Sequence, residues 1–231
     1  DAFETMTVAN PKGAPIELER IVFTRALKHG LVKSDTGDLT LRDCAFVGNG
    51  TTWNTGNTDG GRAIKGSGAA RIVCTNCTFA GNAIDLNVTA YTGKAAVWLS
   101  GMTQADFTDC LFVTNGIAWS RPLGNEQKIC YSAGGSALYL YSTPGTVTRC
   151  RFVGNRDATM DNYEIFPSGA LIIQGARCAV SNCLFVANES TCGDSSRLIT
   201  QSRGTILVGA GTAAAPVEIV GCTVAYNLGN G

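Results

Sequence analysis

Five acidic residues are the ones whose placement could carry chemistry. Asp59 sits in the run Asn57-Thr58-Asp59-Gly60, Asp85 lies one repeat further on, and Asp157, Asp161 and Glu164 cluster beside Arg156. Two carboxyls held either side of a water can hydrolyse a glycosidic bond with inversion. A dense acidic cluster next to a basic residue could instead hold a divalent cation and abstract a proton. No Asp-Asp pair and no Gly-His-Gly run accompanies these acids. Catalysis is therefore not expected, and the five acids stand as the candidates if the chain is an enzyme.

Cysteine is the other reactive type. The chain holds ten, against a single histidine, which leaves little room for His-based metal sites or His-centred triads. Cys74-Thr75-Asn76-Cys77 has the Cys-x-x-Cys spacing, but a zinc or redox role needs a second pair or a helix N-terminus. Neither is visible, and no metal or cofactor is expected.

Six of the cysteines belong to a recurring word. It reads DCAFVGN at 43–49, NCTFAGN at 76–82, DCLFVTN at 109–115, RCRFVGN at 149–155, NCLFVAN at 182–188 and, in degraded form, GCTVAYN at 221–227. The cysteines are spaced by 33, 33, 40, 33 and 39 residues. Unequal spacing of an equal word implies a constant unit carrying variable insertions. A Gly-rich apolar segment leads each unit, as in GRAIKG, AAVWLSG, GSALYLYS and SGALIIQG, and a third short apolar segment precedes each Cys. An N-terminal unit without the Cys aligns Ile21-Val22-Phe23 with Cys44-Ala45-Phe46 and lies 23 residues away. Three short strands per bare turn of about 23 residues read as an all-β chain: a right-handed, single-stranded parallel β-helix of about seven rungs. The insertions then fall at 50–60, 83–93, 116–134, 156–167 and 189–202, all leaving from one corner.

Strand alternation assigns the word. Phe46, Phe79, Phe112, Phe152 and Phe185 should stack inside as one column, closed by Val224. Asn49, Asn82, Asn115, Asn155, Asn188 and Asn227 should pin the bend and serve one another as a ladder. The competing reading is glycosylation, for which Asn76, Asn87 and Asn188 match the acceptor pattern. The Cys column should hold free stacked thiols, since parallel Cβ vectors place equivalent sulfurs poorly for bonding. Cys130 and Cys192, both in insertions, are the best disulfide pair if the chain is extracellular.

Two surfaces could bind. On the outer face of the Gly-rich strand, Lys65, Trp98, Tyr139, Ile172 and Leu207 should point out, with Ala63, Ala96, Ala137 and Ala170 beside them and Tyr141 extending the stripe. The insertions add Trp53, Tyr91, Trp119, Tyr131, Tyr163 and Phe166. Trp98, Tyr139, Tyr141, Trp119, Trp53 and Tyr163 are thus the ligand-binding candidates, for a glycan or a protein. The alternative is that the insertions fold over the stripe.

Two resemblances bear on function. Asn57-Thr58-Asp59-Gly60 with Arg62-Ala63-Ile64-Lys65 resembles elements of pectin-cleaving polygalacturonases, without their remaining motifs. Over most of the chain, the Phe-x-x-Asn word paired with Gly60-Gly61-Arg62-Ala63-Ile64, Gly134-Gly135-Ser136-Ala137-Leu138 and Ser168-Gly169-Ala170-Leu171 resembles the repeats of the chlamydial polymorphic membrane proteins. That resemblance implies a surface-exposed or secreted autotransporter passenger of β-helical fold, several of which are adhesins. It departs at the first unit and at Lys94-Ala95-Ala96-Val97.

Charge is balanced, 18 acidic against 18 basic residues, so no nucleic-acid or anionic-membrane footprint is visible. No apolar run reaches the length of a membrane span. The expected role is an adhesin-like scaffold or ligand-binding surface outside the cell, meeting a host-cell or matrix protein or a glycan. The alternative is a polysaccharide lyase or glycoside hydrolase of the same fold. Because parallel rungs leave pairing edges at their ends, flanking domains of the same polypeptide are expected to continue beyond at least the C-terminal end.

Overall fold

A computed structural model describes residues 5–9, 13–50, 60–85, 95–118, 136–159, 169–192, 204–209 and 216–229. The chain winds as a right-handed parallel β-helix whose turns contribute one strand to each of three seven-stranded sheets. Sheet I is built from Thr5–Val8, His29–Lys33, Ile64–Ser67, Val97–Ser100, Leu138–Tyr141, Leu171–Gln174 and Ile206–Gly209. Sheet II runs from Ile16–Glu19 through Leu39–Arg42, Arg71–Thr75, Gln104–Thr108, Gly145–Thr148 and Cys178–Ser181 to Val217–Val220. Sheet III comprises Val22–Thr24, Ala45–Val47, Thr78–Ala80, Leu111–Val113, Arg151–Val153, Leu184–Val186 and Thr223–Ala225.

A fourth, five-stranded sheet was not foreseen. Sheet IV is formed by Ala83–Asp85, Gly116–Ala118, Arg156–Thr159, Glu189–Cys192 and Leu228–Gly229. Four of these strands occupy the first residues of segments read from sequence as insertions. The inserted chain therefore begins as part of the scaffold before it departs.

Two columns of left-handed backbone make the corners of the word. The residue before each Cys position has positive φ in all seven turns: Arg20, Asp43, Asn76, Asp109, Arg149, Asn182 and Gly221, at 51–65°. So does the residue before each ladder position: Arg25, Gly48, Gly81, Thr114, Gly154, Ala187 and Tyr226, at 51–62°. An L-residue pays about 1–2 kcal/mol to enter that region, least for Asn and Asp. This is the physical reason for Asp or Asn at the first letter of the word and Gly at the sixth. Between the two corners only three residues pair as strand, and the middle one points inward.

That inward residue is phenylalanine in six successive turns. Phe23, Phe46, Phe79, Phe112, Phe152 and Phe185 stack with centroids 4.5–5.2 Å apart and planes within 12°. Phe107 from sheet II meets Phe79 edge-on at 6.4 Å and Phe112 at 5.9 Å. Each buried ring is worth about 1.5–3 kcal/mol of transfer free energy, and each good aromatic pair adds about 0.5–1.5 kcal/mol. Leu31, Ile64, Val97, Leu138 and Leu171 of sheet I close the core opposite.

Each ladder Asn is fully used. Its Nδ2 donates to the carbonyl of the Phe one turn back at 2.8–3.0 Å. From Asn49 to Asn188, Nδ2 also donates to the next turn's Asn Oδ1 at 2.9–3.0 Å. The same Oδ1 accepts the backbone N–H of the earlier Asn at 2.8–3.1 Å. Ala26 starts the column by giving its N–H to Asn49 Oδ1. Asn188 is buried with both amide hydrogens engaged, which removes it as a glycosylation acceptor.

The cysteine column is thiol throughout. Cys44, Cys77, Cys110, Cys150, Cys183 and Cys222 are free, as are Cys74 and Cys178. Each column Sγ donates to a carbonyl one turn back at 3.3–3.8 Å. Cys130 lies outside the described residues. Cys192 is placed only as backbone, opposite Thr159 in sheet IV. A bridge between them thus falls outside what is described.

Candidate functional site

The outer face of sheet I carries the column Lys65, Trp98, Tyr139, Ile172 and Leu207, in register turn by turn. Their chain neighbours Ile64, Val97, Leu99, Leu138, Leu140, Leu171 and Ile173 fill the main core, so alternation turns this column outward. The face is nonetheless covered over its middle. Tyr139 is 7% exposed and Ile172 is fully buried, and with Ala95 they form a second small core against which Trp98 and Leu207 pack half-buried.

Tyr141 marks the open margin at 43% exposure. Its ring meets Tyr139 edge-on at 6.3 Å and 82°. The Tyr139 hydroxyl donates to Gln174 Oε1 at 2.5 Å. Burial, with a smaller contribution from Tyr141, pushes the Tyr139 phenol up to about 12. Tyr139 is thus a neutral anchor, and the exposed Tyr141 with the half-buried Lys65, Trp98 and Leu207 is what the face offers to solvent.

The alanine row read as lying outside beside this stripe is instead interior. Ala63, Ala96, Ala137 and Ala170 are buried in the main core. They sit in the approach to each strand, where Arg62-Ala63, Ser136-Ala137 and Gly169-Ala170 bend and the two-residue alternation has not yet begun. Arg62, of the Arg-Ala-Ile-Lys run, is also buried. Its stem lies against Gly50, where a Cβ would collide with Arg62 Cδ. His29 is buried nearby with Nδ1 2.8 Å from the Gly61 carbonyl.

Among the acids, Asp59, Asp161 and Glu164 lie outside the described residues, as do Trp53, Trp119 and Tyr163. Asp85 and Asp157 have their backbones in sheet IV. Asp85 pairs with Ala118, whereas Asp157 lies in the adjacent column against Ile117, two turns away from Asp85's strand. Among the described residues, no group of three His, Cys, Asp or Glu side chains is placed to hold a metal ion.

Sequence reasoning missed one carboxylate network. Asp106, on the outer face of sheet II, accepts from Arg71 Nη2 at 2.7 Å and Nε at 3.1 Å. It also accepts from Gln104 Nε2 at 2.9 Å and Thr146 Oγ1 at 2.8 Å. Burial pushes its carboxyl up, but the hydrogen bonds from Gln104, Arg71 and Thr146 outweigh it and hold the group below the usual range. A carboxylate so engaged is a brace between three turns and a poor general base. Similar braces join Asp109 to Arg149 and Arg156 to Glu189 on successive turns.

Lys33 was missed too. It occupies the inward position two residues after Leu31 and is fully buried, its ammonium paired with Asp35. Burial lowers its basicity, and Asp38 opposes that shift. Burial likewise unsuits the Cys178 thiol to nucleophilic work, pushing it up to about 12, whereas hydrogen bonds from neighbouring thiols hold Cys77 and Cys150 low, at about 4, inside the sealed core.

What the described residues bring together is therefore a rigid rod with one distinguished side. Each of the five inserted segments lies in sequence between a strand of sheet III or IV and the next strand of sheet I, the sheet that carries Trp98, Tyr139 and Tyr141. Comparison with family models, with curated proteins and with solved structures finds no match to this chain.

Proposed function

We propose that the chain is a segment of a bacterial surface or secreted β-helical protein that serves as an adhesin-like scaffold, presenting its inserted segments to a glycan or protein. The carrying observation is the common point of departure. Five insertions of 11 to 19 residues, four of them carrying a Trp, Tyr or Phe, follow the sheet III and sheet IV strands of successive turns, which lie about 4.8 Å apart along the rod. Loops fixed on a rigid scaffold are a common form of binding surface. The anchored Tyr139, with Tyr141 exposed beside it, supplies an aromatic floor to that side. The resemblance of the Phe-x-x-Asn and Gly-Gly-x-Ala-Ile words to the chlamydial polymorphic membrane proteins supports an extracellular setting and an autotransporter origin.

Binding of the purified chain to a glycan array and to extracellular-matrix proteins tests this reading. Tyr141→Ala and Trp98→Ala should each weaken a captured ligand by about tenfold or more with the fold intact. The enzymatic reading predicts a different outcome: cleavage of polygalacturonate or a related acidic glycan, lost in Asp85→Asn or Asp157→Asn. Turnover of that kind, with no retained ligand, would replace the scaffold reading.

A further inference from the structure

One inward column of sheet I carries a charge in its midst. Val8, Lys33, Gly66, Leu99, Leu140 and Ile173 stand in register turn by turn, and all but Lys33 are apolar. The space a side chain would take at Gly66 is filled by Leu99, with Met102 Sδ 3.5 Å away. The Lys33 side chain is 0% exposed, and its ammonium is paired with Asp35 Oδ1, an oxygen that is itself buried. Nζ also donates to the Asp35 backbone carbonyl at 3.3 Å. Gly68 of the next turn lies over this bend, where a Cβ would stand 3.5 Å from the Ser34 and Asp35 carbonyl oxygens.

An ion pair in such surroundings gives up most of its hydration. Passing one proton from the ammonium to the carboxylate removes both charges at once. Burial favours that direction by lowering the basicity of Lys33. Asp38 opposes the shift, but its Oδ1 is already engaged by the Arg71 N–H at 2.9 Å. The transfer leaves a neutral amine in contact with a carboxylic acid. A deprotonated lysine is a competent nucleophile, and fixed contact raises its effective concentration by many orders of magnitude.

We propose that Lys33 and Asp35 form a self-modification site, at which the two side chains condense into an intramolecular isopeptide bond. Lys33 Nζ bonds to Asp35 Cγ, and the bond from Cγ to the protonated oxygen breaks. The hydroxyl leaves as water, taking one of the two amine hydrogens. One ammonium and one carboxylate thus become one amide and one water, and no oxidant, nucleotide or second protein is consumed. The Asp35 side chain is 17% exposed, which gives the water a way out. The hydrogen left on Nζ keeps the Asp35 backbone carbonyl as its acceptor. The product replaces a buried charge pair by a neutral amide and ties the strand His29–Lys33 to the bend that leads into sheet II.

The test is the intact mass of the full chain, purified folded and then denatured and reduced. The expected mass is one water below that of the sequence. Trypsin should then release residues 29–42 as a single peptide, uncut after Lys33, and fragmentation should place the lost water between Lys33 and Asp35. Lys33→Met and Asp35→Ala should each show the full mass. A wild-type chain of full mass that trypsin cuts after Lys33 would overturn the proposal and leave an ion pair in its place. A water loss that leaves Lys33 cleavable would also overturn it, because that is the signature of an aspartyl succinimide. So would a water loss that persists in Lys33→Met. The wild-type digest decides the question even where a variant fails to fold.

Discussion

Asn115 Nδ2 donates to Asn155 Oδ1 at 3.0 Å across 40 residues of chain, and Asn82 makes the same bond to Asn115 across 33. The inserted segment is eight residues longer in the first case (Asn115 to Leu138 against Asn82 to Val97) and the bend from sheet I to sheet II is one shorter, so the ladder geometry is indifferent to what is inserted. That independence lets one scaffold carry loops of several lengths.

Asn115→Ala should therefore be costly. It removes two donated bonds and leaves the N–H and one of the two Nδ2 hydrogens of Asn82 without an acceptor, the other still bonded to the Phe46 carbonyl. Each orphaned buried group costs about 1–3 kcal/mol, so a loss of at least about 3 kcal/mol is expected in urea unfolding. Asn227→Ala removes the acceptor of the Asn188 N–H and Nδ2 in the same way, but at a half-buried site that water reaches, so it should cost less, about 1–2 kcal/mol. Equal losses at the two positions would show that the ladder is not the source.

Phe112 sits between Phe79 and Phe152, at 4.7 Å from each. Phe112→Ala should lose about 3–5 kcal/mol through transfer and cavity terms. Phe112→Leu should retain most of the stability but lose the stack. Chemical denaturation of both variants checks the order.

Thr114 holds φ of 51° at a corner where Gly48, Gly81 and Gly154 stand in other turns. A β-branched residue is strained there. Thr114→Gly should raise stability by up to about 1 kcal/mol, after allowing for the greater freedom of glycine in the unfolded chain. A lower melting temperature in calorimetry would contradict this account of the word's sixth letter.

Alkaline pH should unfold the rod through its thiols. Cys178 is pushed up to about 12 by burial, and burial also raises Cys44 and Cys74. Unfolded thiols ionise near 8.5, so above that pH the unfolded state binds fewer protons than the folded one. For Cys178 that contribution is full below about pH 8.5 and falls as pH rises toward 12, by about 1.4 kcal/mol per unit; Cys77 and Cys150, held low by hydrogen bonds from neighbouring thiols, do not add to the fall. Replacing Cys178 by Ala should flatten that fall, measured as midpoint against pH.

Asp106 gives the opposite sign. Its carboxyl is held low by Gln104, Arg71 and Thr146 against the effect of burial. The stability it contributes is present above the unfolded value near 3.9 and is lost as pH falls through the lower folded value. Asp106→Asn should cost about 1–2 kcal/mol at neutral pH and reduce the acid sensitivity of the unfolding midpoint.

Much of the scaffold was legible without coordinates. In a solenoid each strand pairs with its own equivalent, so aligning Phe46 with Phe79 and Asn49 with Asn82 in sequence is the same act as setting the register in space. Strict alternation between two corners then decides which residues enter the core, and this determined the fold class, the aromatic column and the asparagine column. What only the tertiary structure decided lies where no residue type repeats. Sheet IV joins Ala83, Gly116, Arg156 and Glu189, which share no side-chain chemistry and are strand only because neighbouring turns offer them partners. Tyr139 and Ile172 alternate outward yet are buried, since alternation sets direction while burial depends on what lies over the face. Asp106 gathers Arg71 and Thr146 from the turns on either side, because stacking along the rod brings together groups that the chain keeps 35 and 40 residues apart.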